Sequence, residues 1–94
     1  MSKRRVVITG LGMVSPVGLN VKTSWESILA GKNGIGPITH FDVSNYAVRF
    51  GGSVRDFDVS TIMSSKDARK MDVFIQYGIA AAVEAIADAG LDVT

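Results

Sequence analysis

The sequence predicts an α/β fold, and three observations lead there. Val6-Val7-Ile8 is a run of consecutive β-branched residues, the pattern of a strand buried on both faces. Strict alternation returns over residues 46–55. Between and after these segments lie two stretches with helical start and stop signals. The resulting order is β-α-β-α, the alternation typical of α/β units. Two strands make too small a sheet to bury the last helix. Hydrophobic residues make up 47% of the 94 positions and the mean hydropathy is +0.26. A free-standing domain of this size needs more polar surface, so the chain reads as one slab of a larger core.

The first strand is expected from Arg4 to Thr9. Gly10, Leu11, Gly12 and Met13 extend or end it, and Ser15-Pro16 with Gly18 forms a turn. A helix follows. Thr23 and Glu26 fit a capping box with Thr23 as N-cap, and Asn20 is a rival cap about one turn earlier. Trp25, Ile28 and Leu29 share one face, and Gly31 is the stop. Residues 31–45 read as loop, punctuated by the turn pairs Asn33-Gly34 and Gly36-Pro37. In the second strand Val48, Phe50, Gly52 and Val54 point one way, and Ala47, Arg49, Gly51, Ser53 and Arg55 the other. Gly51-Gly52 marks a bulge or a close backbone approach.

Ser60 to Lys70 holds one or two short helical turns. The final helix is the clearest element, capped by Asp72, running to about Ala89 and stopped by Gly90. Ile75, Ile79, Val83 and Ile86 form one apolar face; Phe74, Gly78, Ala81 and Ala85 form another. Gln76, Glu84 and Asp88 crowd the remaining arc. Apolar residues around most of the circumference mark a buried helix. Its alanines let neighbouring backbone come close. Without partners, such a helix and open strand edges favour association or poor folding.

Composition removes several classes of function. A net charge of +1 gives no basic excess for nucleic acid. The absence of cysteine excludes a disulfide framework, a thiolate metal site and a thiol nucleophile within these residues. One histidine, His40, cannot make a His-rich metal site. Lys3, Arg4 and Arg5 before an apolar run imitate a signal peptide, but Gly10 and Gly12 interrupt the run and no small-x-small cleavage pattern follows. No stretch approaches the roughly 18 apolar residues of a membrane helix. A cytoplasmic protein without membrane contact is expected.

Three signals remain for chemistry. The turn from Thr9 to Gly18 invites a dinucleotide-binding reading, which needs G-x-G-x-x-G. Gly10 and Gly12 fit, but Ser15 occupies the third place, Pro16 follows it, and no acid near position 30 awaits a ribose. The glycines instead let the segment pass close to other backbone. Lys66, Arg69 and Lys70 stand at i, i+3 and i+4, on one helical face. Such a face either meets solvent or steers an acidic partner, and Asp67 beside it weakens the charge. His40 lies between Thr39 and Phe41 with no acid–base or nucleophile constellation around it, Asp56 and Asp58 read as turn residues, and Met63 and Met71 as core filling. No catalytic, cofactor-binding or metal-binding residue is assigned.

Read together, the segments resemble a family. V-V-I-T-G-L-G-M-V-S-P-V-G is similar to the opening of β-ketoacyl-acyl carrier protein synthases. Trp25, Leu29-Ala30-Gly31, Gly34-Ile35, Phe41-Asp42, Phe50 to Val54 and Phe57 continue the likeness. Arg69-Lys70-Met71-Asp72, Phe74 and Gln76-Tyr77 resemble the elongating synthase II branch, and Asp88-Ala89-Gly90-Leu91 closes the helix in the same manner. The likeness runs through residues 1–94 without a gap, as the N-terminal portion of a synthase N-terminal domain, with the remainder absent. It implies a partial thiolase-like fold: the β-α-β-α portion of the N-terminal half of a layered αβαβα architecture. It also implies an acyltransferase that elongates acyl-acyl carrier protein by decarboxylative Claisen condensation with malonyl-acyl carrier protein, in fatty-acid biosynthesis. The family works as a homodimer without a cofactor. Its nucleophilic Cys and two His lie beyond this segment, and His40 matches neither, so these residues alone should be inactive. Lys66, Arg69 and Lys70 match the basic face that docks the carrier protein, with Ser65 where some relatives carry a further Arg. The alternatives are a polyketide or chain-initiating synthase of the same fold, and a non-catalytic carrier-binding α/β module.

Overall fold

The computed structural model describes residues 3–92. Its elements, in chain order, are α1 (Val21–Leu29), β1 (Ile35–Pro37), β2 (Phe50–Gly52), a 3-10 turn (Val59–Thr61), α2 (Ser65–Ala68) and α3 (Val73–Ala89). Two results separate it from the expectation. The segment before α1 is extended but pairs with no strand among the described residues, so Arg4–Thr9 is not the expected doubly buried strand. Val6, Val7 and Ile8 are 86%, 70% and 81% exposed. Within residues 46–55 the strand itself covers only Phe50–Gly52.

The common cause is a shortage of sheet. Among the described residues the one sheet has two strands, with β1 antiparallel to β2 in the register Ile35↔Gly52, Gly36↔Gly51 and Pro37↔Phe50. The Ile38 N–H adds a bond to the Arg49 carbonyl at 3.0 Å. Sequence patterning missed β1, since three residues including Gly and Pro carry no alternation. A strand's N–H groups need an edge to pair with, and no described edge lies beside Val6–Ile8.

The extended segment is held instead by α3. Leu11 N–H donates to the Asp88 carboxylate at 3.0 Å, and Met13 N–H donates to Glu84 Oε1 at 2.9 Å. The other Glu84 oxygen accepts Val21 N–H at 3.0 Å. Val21 opens α1, so one side chain of α3 closes an orphan N–H of α1 and fixes the glycine-rich segment as well. A carboxylate at a helix N-terminus is also favoured by the helix dipole. Glu84 and Asp88 sit four apart, one turn along the same face. This contact requires glycine. A Cβ on Gly12 would overlap the Ala81 carbonyl oxygen and lie 2.8 Å from Ala85 N. On Gly10 it would lie 2.7 Å from Ala89 N. The glycine-rich segment therefore serves packing against the backbone of α3.

The turn itself follows the expectation. Ser15 and Gly18 form a β-bridge around Pro16-Val17. Ser15 Oγ lies 2.8 Å from Ser24 Oγ, and Ser24 on α1 is fully buried. The N-cap of α1 is Asn20 rather than Thr23. Asn20 Oδ1 accepts Thr23 N–H at 2.8 Å, so Thr23 is already inside the first turn as the donor being capped. Gly31 and Gly90, with φ of 73° and 70°, end α1 and α3 in the left-handed conformation that suits glycine.

The apolar faces remain open. No hydrophobic residue among the described ones is buried. On α3, Phe74 is 71% exposed and Val83 50%, so the expectation of a buried helix is not met here. Met63 and Met71 are half-buried rather than core. The Cα radius of gyration is 16.8 Å, whereas a compact chain of this length has about 12 Å. The helices carry the apolar surface of a core that the described residues do not close.

Candidate functional site

The cationic patch is built around α2. Ser64 caps it, its Oγ accepting Asp67 N–H at 3.2 Å. Asp67 falls in the first turn, where a negative charge suits the dipole. The last helical bond runs from Arg69 N–H to the Ser65 carbonyl at 3.1 Å. The chain then tightens, with Lys70 N–H on Asp67 O at 3.1 Å and Met71 N–H on Ala68 O at 3.2 Å. Lys66 lies within α2, Arg69 is its C-cap and Lys70 follows in the tightened turn. All three are exposed, and among the described residues none of their side chains is engaged by an ion pair or hydrogen bond. The patch therefore presents three cationic side chains from one short turn of chain.

Two contacts tie this turn to the frame. Gln76, in the first turn of α3, donates from Nε2 to the Ala68 carbonyl at 3.1 Å and to the Met71 carbonyl at 3.3 Å. Next to it, Tyr77 meets Phe57 edge to face, with ring centroids 4.9 Å apart and planes at 90°. The 3-10 turn between them is capped by Asp58, whose Oδ1 accepts Ser60 N–H at 2.9 Å. Hydrogen bonds from the Ser60 side chain and backbone hold the Asp58 carboxyl below its usual range. Asp58 is thus a turn residue, as its sequence setting indicates, and Asp56 adopts a positive φ of 61°. His40 lies exposed in the loop before Phe41.

A concave region of about 460 Å³ lies between the Ser15–Asn20 turn and Arg55-Asp56. Its one serine hydroxyl within reach of a partner, that of Ser15, is engaged by Ser24 and the Gly18 carbonyl. No base stands beside that hydroxyl, so the region offers no nucleophilic pair. Among the described residues no group of three or more His, Cys, Asp or Glu is placed to hold a metal. Sequence reading missed Glu84, Asp88 and Gln76 as contact residues. The available signal was polar groups on an otherwise apolar helix.

The α/β slab with open helix faces is part of a thiolase-like ketosynthase fold, as its match to a solved ketosynthase shows. The chain is a member of the β-ketoacyl synthase family: the model of the beta-ketoacyl synthase N-terminal domain matches residues 3–94. It is 60% identical over 94 residues to 3-oxoacyl-[acyl-carrier-protein] synthase 2 of Vibrio harveyi, covering 100% of this chain and 23% of that protein. With the protein of the same name from Coxiella burnetii it shares 48% identity over 93 residues, covering 99% of this chain and 22% of the relative. Among solved structures, the ishigamide ketosynthase/chain length factor superposes with a TM-score of 0.86 at 35% identity. That match covers 97% of this chain and 23% of the other. The chain thus spans less than a quarter of the length of the relatives it matches.

Proposed function

We propose that the chain is the N-terminal portion of a β-ketoacyl synthase N-terminal domain, in a protein that elongates acyl chains held on acyl carrier protein. The observation that carries this reading is the 60% identity to a 3-oxoacyl-[acyl-carrier-protein] synthase 2 through the whole of residues 1–94. In this reaction a Cys thiolate attacks the acyl-carrier thioester and takes the acyl group, releasing the carrier's thiol. Malonyl-acyl carrier protein then loses CO2, two His stabilise the developing enolate, and its carbon attacks the thioester. The tetrahedral intermediate expels the Cys thiolate, leaving a 3-oxoacyl chain two carbons longer. The described residues supply none of those three groups. Their part is framework and docking.

Lys66, Arg69 and Lys70 dock the acidic carrier protein, in both its acyl- and malonyl-loaded forms. The support is their exposure, their freedom from internal ion pairs and their placement on one short turn. The protein is a cytoplasmic homodimer on this reading, and no described helix is long and apolar enough to cross a membrane. Association with further protein also accounts for the open apolar faces of α1 and α3. The coding frame past Thr94 tests the assignment. The expected frame continues with a Cys and later two His. A stop immediately after Thr94 would remove every catalytic group and defeat the reading.

A further inference from the structure

We propose that Gln76 is a positioning residue for carrier docking, holding the turn that bears Arg69 and Lys70. This rests on the docking role given above to the basic patch. The helix that carries the patch has four residues, far too few to persist on propensity alone, because forming the first turn of a helix is itself unfavourable. Its geometry has to be imposed from outside. Ser64 closes the N-terminal end. At the C-terminal end the carbonyls of Ala68, which also accepts Met71 N–H, and Met71 bracket Arg69 and Lys70, and the Gln76 amide nitrogen donates to both, at 3.1 and 3.3 Å.

The donor count matches. A primary amide has two N–H groups, and here it faces two carbonyl oxygens. Both partners are acceptors, so only the nitrogen end of the amide fits that position. Gln76 is half-buried and sits on the 17-residue α3, so the turn is referred to the longest element present. Without the clamp, Arg69 and Lys70 sample arrangements of which a fraction match an acidic partner. Apparent affinity then falls by that fraction, while chemistry remote from the patch is unaffected.

The test uses the full-length protein and the variant Gln76→Met, which keeps length and loses both donors. Steady-state kinetics are measured with acyl-acyl carrier protein and with an acyl-pantetheine thioester, which has no acidic carrier to dock. The expected result is a rise of about three- to tenfold in KM for the carrier-borne substrate. The kcat and the KM for the pantetheine thioester should stay within about twofold of wild type. A general loss of structure would move both substrates together, and that outcome overturns the proposal. So does an unchanged KM for the carrier-borne substrate. Arg69→Glu run in parallel separates the two layers. If Arg69→Glu raises that KM and Gln76→Met does not, positioning fails and docking stands. If neither raises it, the docking reading fails and this inference with it. Should Gln76→Met not accumulate as folded protein, Gln76→Glu replaces it with the same readouts, since a carboxylate keeps the shape but cannot donate to the carbonyls.

Discussion

Replacing Gly12 by alanine in the full-length protein is expected to lower stability by several kcal/mol and to cut the soluble yield sharply. Overpacking a well-packed site commonly costs about 1–3 kcal/mol, with side chains giving way. At Gly12 nothing comparable can give way. The added Cβ meets the Ala81 carbonyl oxygen, and the Ala81 carbonyl carbon and Ala85 N lie 2.7 and 2.8 Å from it. All three are backbone atoms of α3. The segment would have to lift off the helix, breaking the Met13–Glu84 and Leu11–Asp88 hydrogen bonds, each bond to a charged group contributing about 1.5–3 kcal/mol. Against a total stability of about 5–15 kcal/mol this is a large fraction. Thermal melting of the variant and the wild type measures it. Adding Ala81→Gly should not rescue the variant, because the obstacle is main chain. A melting temperature within a degree or so of wild type would show that the segment does not pack on α3 in the full-length protein.

Charge reversal at Arg69 is expected to have the largest kinetic effect. Arg69 is exposed at the end of α2 with Lys66 and Lys70 beside it. Arg69→Glu replaces an attraction to an acidic carrier with a repulsion and leaves the fold untouched. Exposed charges interact by about 1 kcal/mol at contact distance in water and more beside protein. A rise of about tenfold in the apparent KM for acyl-acyl carrier protein, equivalent to about 1.4 kcal/mol, is therefore expected. The salt dependence of that KM should flatten as well, since screening has less attraction left to remove. Kinetics across a salt series decide the matter. Wild-type values and an unaltered salt slope would place the docking surface elsewhere.

The sequence and the structure agree where the signal is local. The apolar stripes and Gly90 define α3 because a helix of 17 residues repeats its pattern several times before its stop; Asp72 holds the N-cap position as expected, but its side chain makes no capping hydrogen bond. The short turns between Ser60 and Lys70 and the Ser15–Gly18 turn follow from residues within hydrogen-bonding reach of each other. The start of α1 was open between two side chains that can both cap, the Asn20 amide and the Thr23 hydroxyl. Only geometry shows that the Asn20 Oδ1 accepts the Thr23 N–H and so makes Asn20 the cap.

Long-range relations were invisible. Val6-Val7-Ile8 has strand composition, but a strand exists only beside a partner, and the partner edge is a property of the sheet. Glu84 and Asp88 reach N–H groups 63 to 77 positions away, which no periodicity announces. The patch divides the same way. The spacing of Lys66, Arg69 and Lys70 could be read directly, whereas the Gln76 clamp beneath it depends on how α3 turns back past α2.

The most direct test of the central claim is elongation by the full-length protein. Purified protein is incubated with an acyl-acyl carrier protein and malonyl-acyl carrier protein, with no cofactor added, and the carrier-bound products are resolved by mass. The expected product is a 3-oxoacyl-acyl carrier protein two carbons longer than the starting acyl chain, formed with release of one CO2 for each chain extended. Malonyl-acyl carrier protein recovered intact, with no extended chain, would contradict the assignment.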